Sequence, residues 1–186
     1  MSRKKRRTNR RAINWPIGGV VILLLIGCVV LAKNYHKIYK LLLSQTTVRI
    51  GATAPDFELS TLTGESVRLS QYSGQPVMVS FSESWCPDCA RAAPLLQELH
   101  ENHPELVVLL VDGNEAYATV QKSVAKNGFT FPVLLDPNGT MNKRFAIMAI
   151  PTVFFIDAKG VIRAKVIETV TPALLADALP LIGIEP

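Results

Sequence analysis

The sequence predicts an α/β domain whose β-sheet has mixed direction and is flanked by helices, preceded by one N-terminal transmembrane helix. Three observations carry this prediction. Residues 1–14 hold seven basic side chains and no acid, then run directly into an apolar stretch, Trp15 to Ala32. Beyond residue 50, short apolar runs bounded by turn residues alternate with segments of helical spacing. The last two strand-like runs are joined by Asp157-Ala158-Lys159-Gly160, a hairpin connection with glycine where positive φ is needed.

The apolar stretch is broken only by glycines and Cys28. Eighteen residues at about 1.5 Å rise span roughly 27 Å, enough to cross the hydrocarbon core. Seven cations precede the span and only Lys33, Lys37 and Lys40 follow it closely, so residues 1–14 are expected in the cytoplasm and everything after residue 32 outside. Tyr35 and Tyr39 sit where interfacial aromatics belong, and the helical spacing continues to about Ser44, which makes residues 33–50 a juxtamembrane helix and linker. Two processed forms compete with an uncleaved anchor. Val30-Leu31-Ala32 loosely fits a signal-peptidase site, and Leu25-Ile26-Gly27-Cys28 resembles a lipobox, although the apolar Val29-Val30-Leu31 replaces the usual polar start. Each version leaves the domain at 51–186 outside.

Within that domain, Phe57 to Leu62 and Val67 to Leu69 read as strands around a turn at Gly64. Pro76 to Phe81 and Leu106 to Val111 are continuous apolar runs, as strands buried on both faces should be. Between them a helix starts at Pro87, runs through Leu99, and contains Pro94, which should kink it. Glu115 to Lys126 reads as a helix stopped by Asn127-Gly128. Val133 to Leu135 is a short strand closed by Asp136-Pro137-Asn138-Gly139, and Met141 to Phe145 is a short helical piece. Val153 to Ile156 and Val161 to Ile167 form the hairpin. Thr171 caps a last helix, with Leu174, Leu175, Ala178 and Leu179 expected on its buried face.

Charge narrows the function classes. The whole chain carries +5, but from residue 46 onward ten Lys/Arg stand against fifteen acids, a net −5. The basic character belongs to one terminal run rather than a folded face, which removes the case for nucleic-acid binding. Three cysteines are too few for a disulfide-stapled scaffold. Cys86 and Cys89 form a pair with two intervening residues, which is either a redox motif or half of a zinc site. No second Cys/His pair follows at suitable spacing, and His100 and His103 fall at or past the far end of the helix, so no metal is assigned.

Cys86 follows a buried strand and opens a helix, where free N–H groups and the helix dipole stabilise a thiolate, the attacking species in disulfide exchange. Cys89 lies one turn later, close enough to close a disulfide. Cys86 is therefore read as the nucleophile and Cys89 as the residue that resolves the mixed disulfide.

These residues resemble the thioredoxin superfamily, and within it the membrane-anchored TlpA/ResA-like branch. The resemblance rests on Gly51 to Leu59, Trp85-Cys86-Pro87-Asp88-Cys89, Pro94, Phe131-Pro132-Val133 with Asp136, and Ile150-Pro151-Thr152. It implies a thioredoxin-like fold, a redox-active Cys86–Cys89 disulfide and no cofactor. It also implies a cis Pro151 packed beside the cysteines, with Trp85, Ile150 and Pro151 meeting the substrate and Pro87 and Asp88 tuning the redox centre. Three departures stand out. Ala92 replaces the glutamate of ResA-like proteins, Ser80 the buried acid of thioredoxin, and Asp88 the proline before the second cysteine. Asp88 and Glu83 are the acids near enough in sequence to handle protons, and Glu83 is read as a solvated surface charge.

The expected function is reduction of disulfides in exported proteins. By resemblance, apocytochrome c is the substrate class and a CcdA-type membrane thiol carrier is the electron donor. The alternatives are a general disulfide oxidase or isomerase, and a copper-delivery module, which would need a histidine ligand after His103 that the chain does not have. A peroxiredoxin would need Pro and Thr/Ser where Val79 and Glu83 stand.

Overall fold

The computed structural model describes residues 48–185 and Val29. The span expected at 15–32 lies outside the described residues apart from Val29. Among the described residues no helix is long and apolar enough to cross a membrane.

Seven strands form one sheet: β1 (Glu58–Thr61), β2 (Ser66–Arg68), β3 (Val77–Ser82), β4 (Val107–Gly113), β5 (Val133–Asp136), β6 (Thr152–Ile156) and β7 (Ile162–Ile167). Their order across the sheet is β2-β1-β5-β4-β3-β6-β7. β4 is parallel to both β3 and β5, while β6, β7, β1 and β2 add on antiparallel. The predicted mixed direction is observed. The helices are α1 (Pro87–Asn102), α2 (Tyr117–Asn127), α3 (Thr140–Arg144) and α4 (Pro172–Ala178).

Alternation along the central strands supplies two cores. Met78, Val108 and Leu110 point to the face covered by Leu96 and Leu99 of α1, Val120 of α2 and Leu175 of α4. Val79, Phe81, Leu109 and Val111 point to the other face, against Phe57, Met141 and Phe145. There Phe145 meets Phe81 at 5.0 Å and Phe154 at 5.4 Å between ring centroids. Truncating such a fully buried ring to alanine costs about 3–5 kcal/mol.

Strand ends differ from the sequence reading by one or two residues, and one difference matters. β4 does not stop at Val111 but continues through Asp112 to Gly113, with Asp112 paired to Ser82 in register. A charged residue after an apolar run reads as a strand end, yet here backbone pairing carries on past it. α2 begins two residues later than expected, which leaves Glu115 in the preceding loop. Leu174 is exposed rather than buried, because α4 turns only Leu175 and Ala178 inward. Pro94 lies inside α1 as expected.

Candidate active site

The parallel strands β3 and β4 end side by side, and the loops that leave them build the site, the usual place for function in sheets of this kind. β3 leads through Glu83-Ser84-Trp85 into Cys86, which stands at the N-cap of α1 with extended backbone and Pro87 in the first turn. Cys86 and Cys89 are joined in a disulfide, with Cα atoms 5.2 Å apart. The backbone N–H of Cys89 points at Cys86 Sγ from 3.1 Å. In the reduced protein this donor and the helix dipole both favour negative charge on Cys86.

The loop before β6 approaches Cys86 from across the sheet. The Ile150–Pro151 bond is cis, and the Ile150 carbonyl oxygen lies 3.7 Å from Cys86 Sγ. The Thr152 hydroxyl donates to the Ala149 carbonyl at 2.7 Å, and the N–H of Glu168 donates to the Pro151 carbonyl at 2.8 Å. These bonds hold the loop from both sides. Trp85 is 68 % exposed, and Met148, two residues before Ile150, is 93 % exposed. Two exposed apolar side chains thus lie within two residues of Cys86 and Ile150, the residues that meet at the sulfur. Pro87 is exposed and Asp88 half-buried. The Asp88 carboxylate pairs with the Arg91 guanidinium one turn on, which offsets its charge on the cysteines.

Cys89 faces inward, where the sequence reading missed the main feature. A cavity of about 380 Å³ is lined by Cys89, Glu83, Ser84 and Asp112, with Lys122 and Lys126 of α2 also on its wall. Glu83, expected on the surface, is only 9 % exposed; its carboxylate accepts from the Asn114 side-chain amide at 3.3 Å. Glu83 is buried because the loop after β4, which carries Asn114, folds over the end of β3. Glu115 in that loop accepts from the Ser84 N–H at 2.5 Å and the Ser84 hydroxyl at 2.6 Å, tying the two loops together. Asp112 is 4 % exposed and its Oδ1 has no hydrogen-bond partner. Burial, then the charge of Glu115 and a side-chain hydrogen bond with it, then the charge of Glu83, push its carboxyl up to about 8.

Ser80 and Ala92, which replace the acids expected by resemblance, are both buried, and Ser80 Oγ has no partner either. Ser80 and Asp112 share a face of the sheet, because alternate residues do so and Ser82 pairs with Asp112. An acid is therefore present on the thioredoxin side of the sheet, but on the neighbouring strand. The signal available in the sequence was an acid directly after the apolar run of a central strand, near the strand end that leads to the cysteines. His100 and His103 stand in the last turn and at the C-cap of α1, roughly 20 Å along the helix from the cysteines. Among the described residues no group of three His, Cys, Asp or Glu side chains is placed to hold a metal.

Residues 50–165 match the model of the AhpC/TSA family. The chain belongs to the AhpC/TSA family. Within it, the thiol–disulfide oxidoreductase ResA of Geobacillus thermodenitrificans is 32% identical over 154 residues, covering 82% of this chain and 86% of that protein. The thioredoxin-like protein YneN of Bacillus subtilis is 28% identical over 169 residues, covering 89% of this chain and 96% of that one. Among solved structures, a DsbE-type thiol:disulfide interchange protein from Chlorobium tepidum superposes with a TM-score of 0.69 at 27% identity, covering 74% of this chain and all of that one. This AhpC/TSA member is a thiol–disulfide oxidoreductase of the ResA/DsbE type with a thioredoxin-like fold. The family name brings no peroxidatic site with it. Val79 is buried within β3 and Glu83 has no hydroxyl, so neither supplies what a peroxidatic cysteine needs.

Proposed function

We propose that this protein is a membrane-tethered, extracytoplasmic reductase of disulfides in exported proteins, with Cys86 as attacker and Cys89 as resolver. The observation that carries the assignment of roles is the asymmetry of the pair. Cys86 has the helix N-cap, the Cys89 amide and the exposed Trp85 beside it, while Cys89 faces the cavity that Glu83 and Asp112 also line. Trp85, Ile150 and Pro151 would meet the incoming peptide, because their loops flank Cys86 and the Ile150 carbonyl is already within reach of its sulfur.

Charge around the cysteines favours electron flow out of this centre. Two acids, Glu83 and Glu115, gather behind the cysteines and disfavour thiolate in the reduced form, whereas Asp112, which keeps its proton up to about 8, adds little charge near neutral pH. A less stabilised reduced form is a better reductant. Asp88 contributes less than its position in the motif suggests, since Arg91 pairs with it. Tethering and location rest on the basic cluster before residue 15 and the apolar stretch after it. Apocytochrome c as substrate and a CcdA-type carrier as donor rest on the ResA-like resemblance.

A glutathione titration is expected to give a potential nearer thioredoxin's, about −270 mV, than the roughly −120 mV of a strong oxidant. A midpoint above about −180 mV would reassign the protein to oxidation or isomerisation. For location, a membrane-impermeant thiol reagent should label Cys86 on intact, reduced cells. Labelling that appears only after lysis would sink the extracytoplasmic reading. Partners trapped on Cys89→Ser should be exported proteins, and Cys-x-x-Cys-His motifs among them would support cytochrome maturation.

A further inference from the structure

We infer that Asp112 is the group that takes the proton from Cys89 and returns it, in place of the acids that this chain lacks at positions 80 and 92. The inference rests on the assignment of Cys86 as attacker and Cys89 as resolver. Four observations place it. Asp112 and Cys89 line the same cavity, which at about 380 Å³ is roomy enough to admit water between them. The Asp112 side chain is almost wholly buried and one carboxyl oxygen has no partner in the protein. The residues at the two positions where resemblance looks for an acid, Ser80 and Ala92, cannot exchange a proton in this range. Lastly, Glu115 is bonded to Ser84 through both oxygens and Glu83 to Asn114 through one, whereas the free Asp112 oxygen is the one carboxyl oxygen among these described acids that is both fully buried and without a partner.

The steps balance. Cys86 thiolate attacks a substrate disulfide, and one substrate sulfur leaves as a thiolate. Cys89 then gives its thiol proton to the Asp112 carboxylate and attacks Cys86 Sγ. The Cys86–Cys89 bond forms, the Cys86–substrate bond breaks, and the second substrate sulfur departs with that electron pair. Two electrons have passed from the dithiol to the substrate, and the proton remains on Asp112. When a dithiol donor reduces the centre, its thiolate attacks Cys86 and Cys89 leaves with the bonding electrons, taking the proton back from Asp112. The donor's second thiol closes its own disulfide and releases Cys86 as a thiolate.

The elevated affinity of Asp112 for its proton suits both directions. A carboxyl held near 8 is close to the ordinary thiol value of about 8.5, so transfer in either direction costs little. The charged groups facing it are Glu83 from the end of β3 and Glu115 from the loop after β4, both of which raise it. Lys122 and Lys126 of α2 stand on the cavity wall.

The test separates the two chemical steps. In the full-length protein, the second step is read by loading Cys86 with a small aromatic disulfide and following release of the aromatic thiol as Cys89 closes the ring. Asp112→Asn is expected to slow this step by about a hundredfold near neutral pH and to remove a break near pH 8 from its rate profile. The first step, read in the Cys89→Ser background, loses far less. Glu83→Gln keeps the break and shifts it down. Carbon-13 titration of the wild-type, oxidised protein should show the Asp112 carboxyl changing charge near pH 8, which decides the matter even if Asp112→Asn does not fold. Wild-type-like second-step kinetics in Asp112→Asn, within about twofold at every pH, would overturn the inference. So would an Asp112 carboxyl that titrates in the ordinary carboxylate range. Failure of the attacker–resolver assignment has a different signature, with the aromatic adduct appearing on Cys89.

Discussion

Cys86 and Cys89 are one helical turn apart, yet the regions on either side of them have little in common. On the Cys86 side are a backbone amide, a backbone carbonyl, a proline and exposed apolar side chains. The acid within the cysteine motif, Asp88, is answered by Arg91. On the Cys89 side two carboxyl groups, Glu83 and Asp112, line the cavity, the second buried without a partner for one oxygen and influenced by Glu115. The difference divides the labour of exchange. One sulfur is made ready to be charged and to be met by a peptide. The other is kept where charge is costly and a proton acceptor stands by.

The largest expected effect comes from removing each sulfur in turn. Cys86→Ser should lower disulfide reduction by about a thousandfold or more, because nothing else in the site can attack. Cys89→Ser should instead accumulate a stable mixed disulfide through Cys86, visible by mass spectrometry and released by reductant. Equal trapping by both variants would erase the contrast between the two regions.

A smaller but unusual effect is expected from Asp112→Asn on stability. Asp112 ionises near 3.8 in the unfolded chain but near 8 in the folded protein. Between these values only the folded state holds the proton, so wild-type stability falls as pH rises from about 4 and levels off above about 8. The asparagine side chain of the variant cannot titrate. The variant should therefore gain on the order of a few kcal/mol over wild type at about pH 9 relative to about pH 4, measured by urea unfolding of the oxidised proteins. A difference that does not change with pH would mean the acid side is not the strained region described here.

The smallest effect on stability belongs to the exposed Trp85. Trp85→Ala removes a side chain that is mostly in water, so stability should change by less than about 0.5 kcal/mol. Turnover of a protein disulfide should nonetheless drop by about tenfold while turnover of a small disulfide hardly moves, if the indole is a platform for the substrate chain. Equal losses on both substrates would move Trp85 from the binding surface into the redox centre itself.

Much of this was legible in the chain. The run Pro76 to Phe81 is apolar at nearly every position, and it is the central strand β3. Asp157 to Gly160 turns the hairpin, with Gly160 at φ 76° and the Asp157 carboxylate accepting from the Lys159 and Val161 amides. Thr171 caps α4 by accepting from the Leu174 N–H. These are local matters of periodicity, turn chemistry and capping, in which neighbours in sequence are also the neighbours in space. The helix-opening cysteine pair is legible for the same reason.

Asp112 and Glu83 were not legible, and the reason is physical. Whether a carboxylate is solvated or buried depends on what covers it. The cover comes from residues 31 positions away, where Glu115 ties down Ser84 and Asn114 reaches Glu83. The sequence by itself determined a redox pair on a helix start, the mixed sheet that carries it and the proline loop. Only the tertiary structure decided which acids face the second cysteine, because electrostatic environment is set by the sum of burial and charges brought together from separate strands.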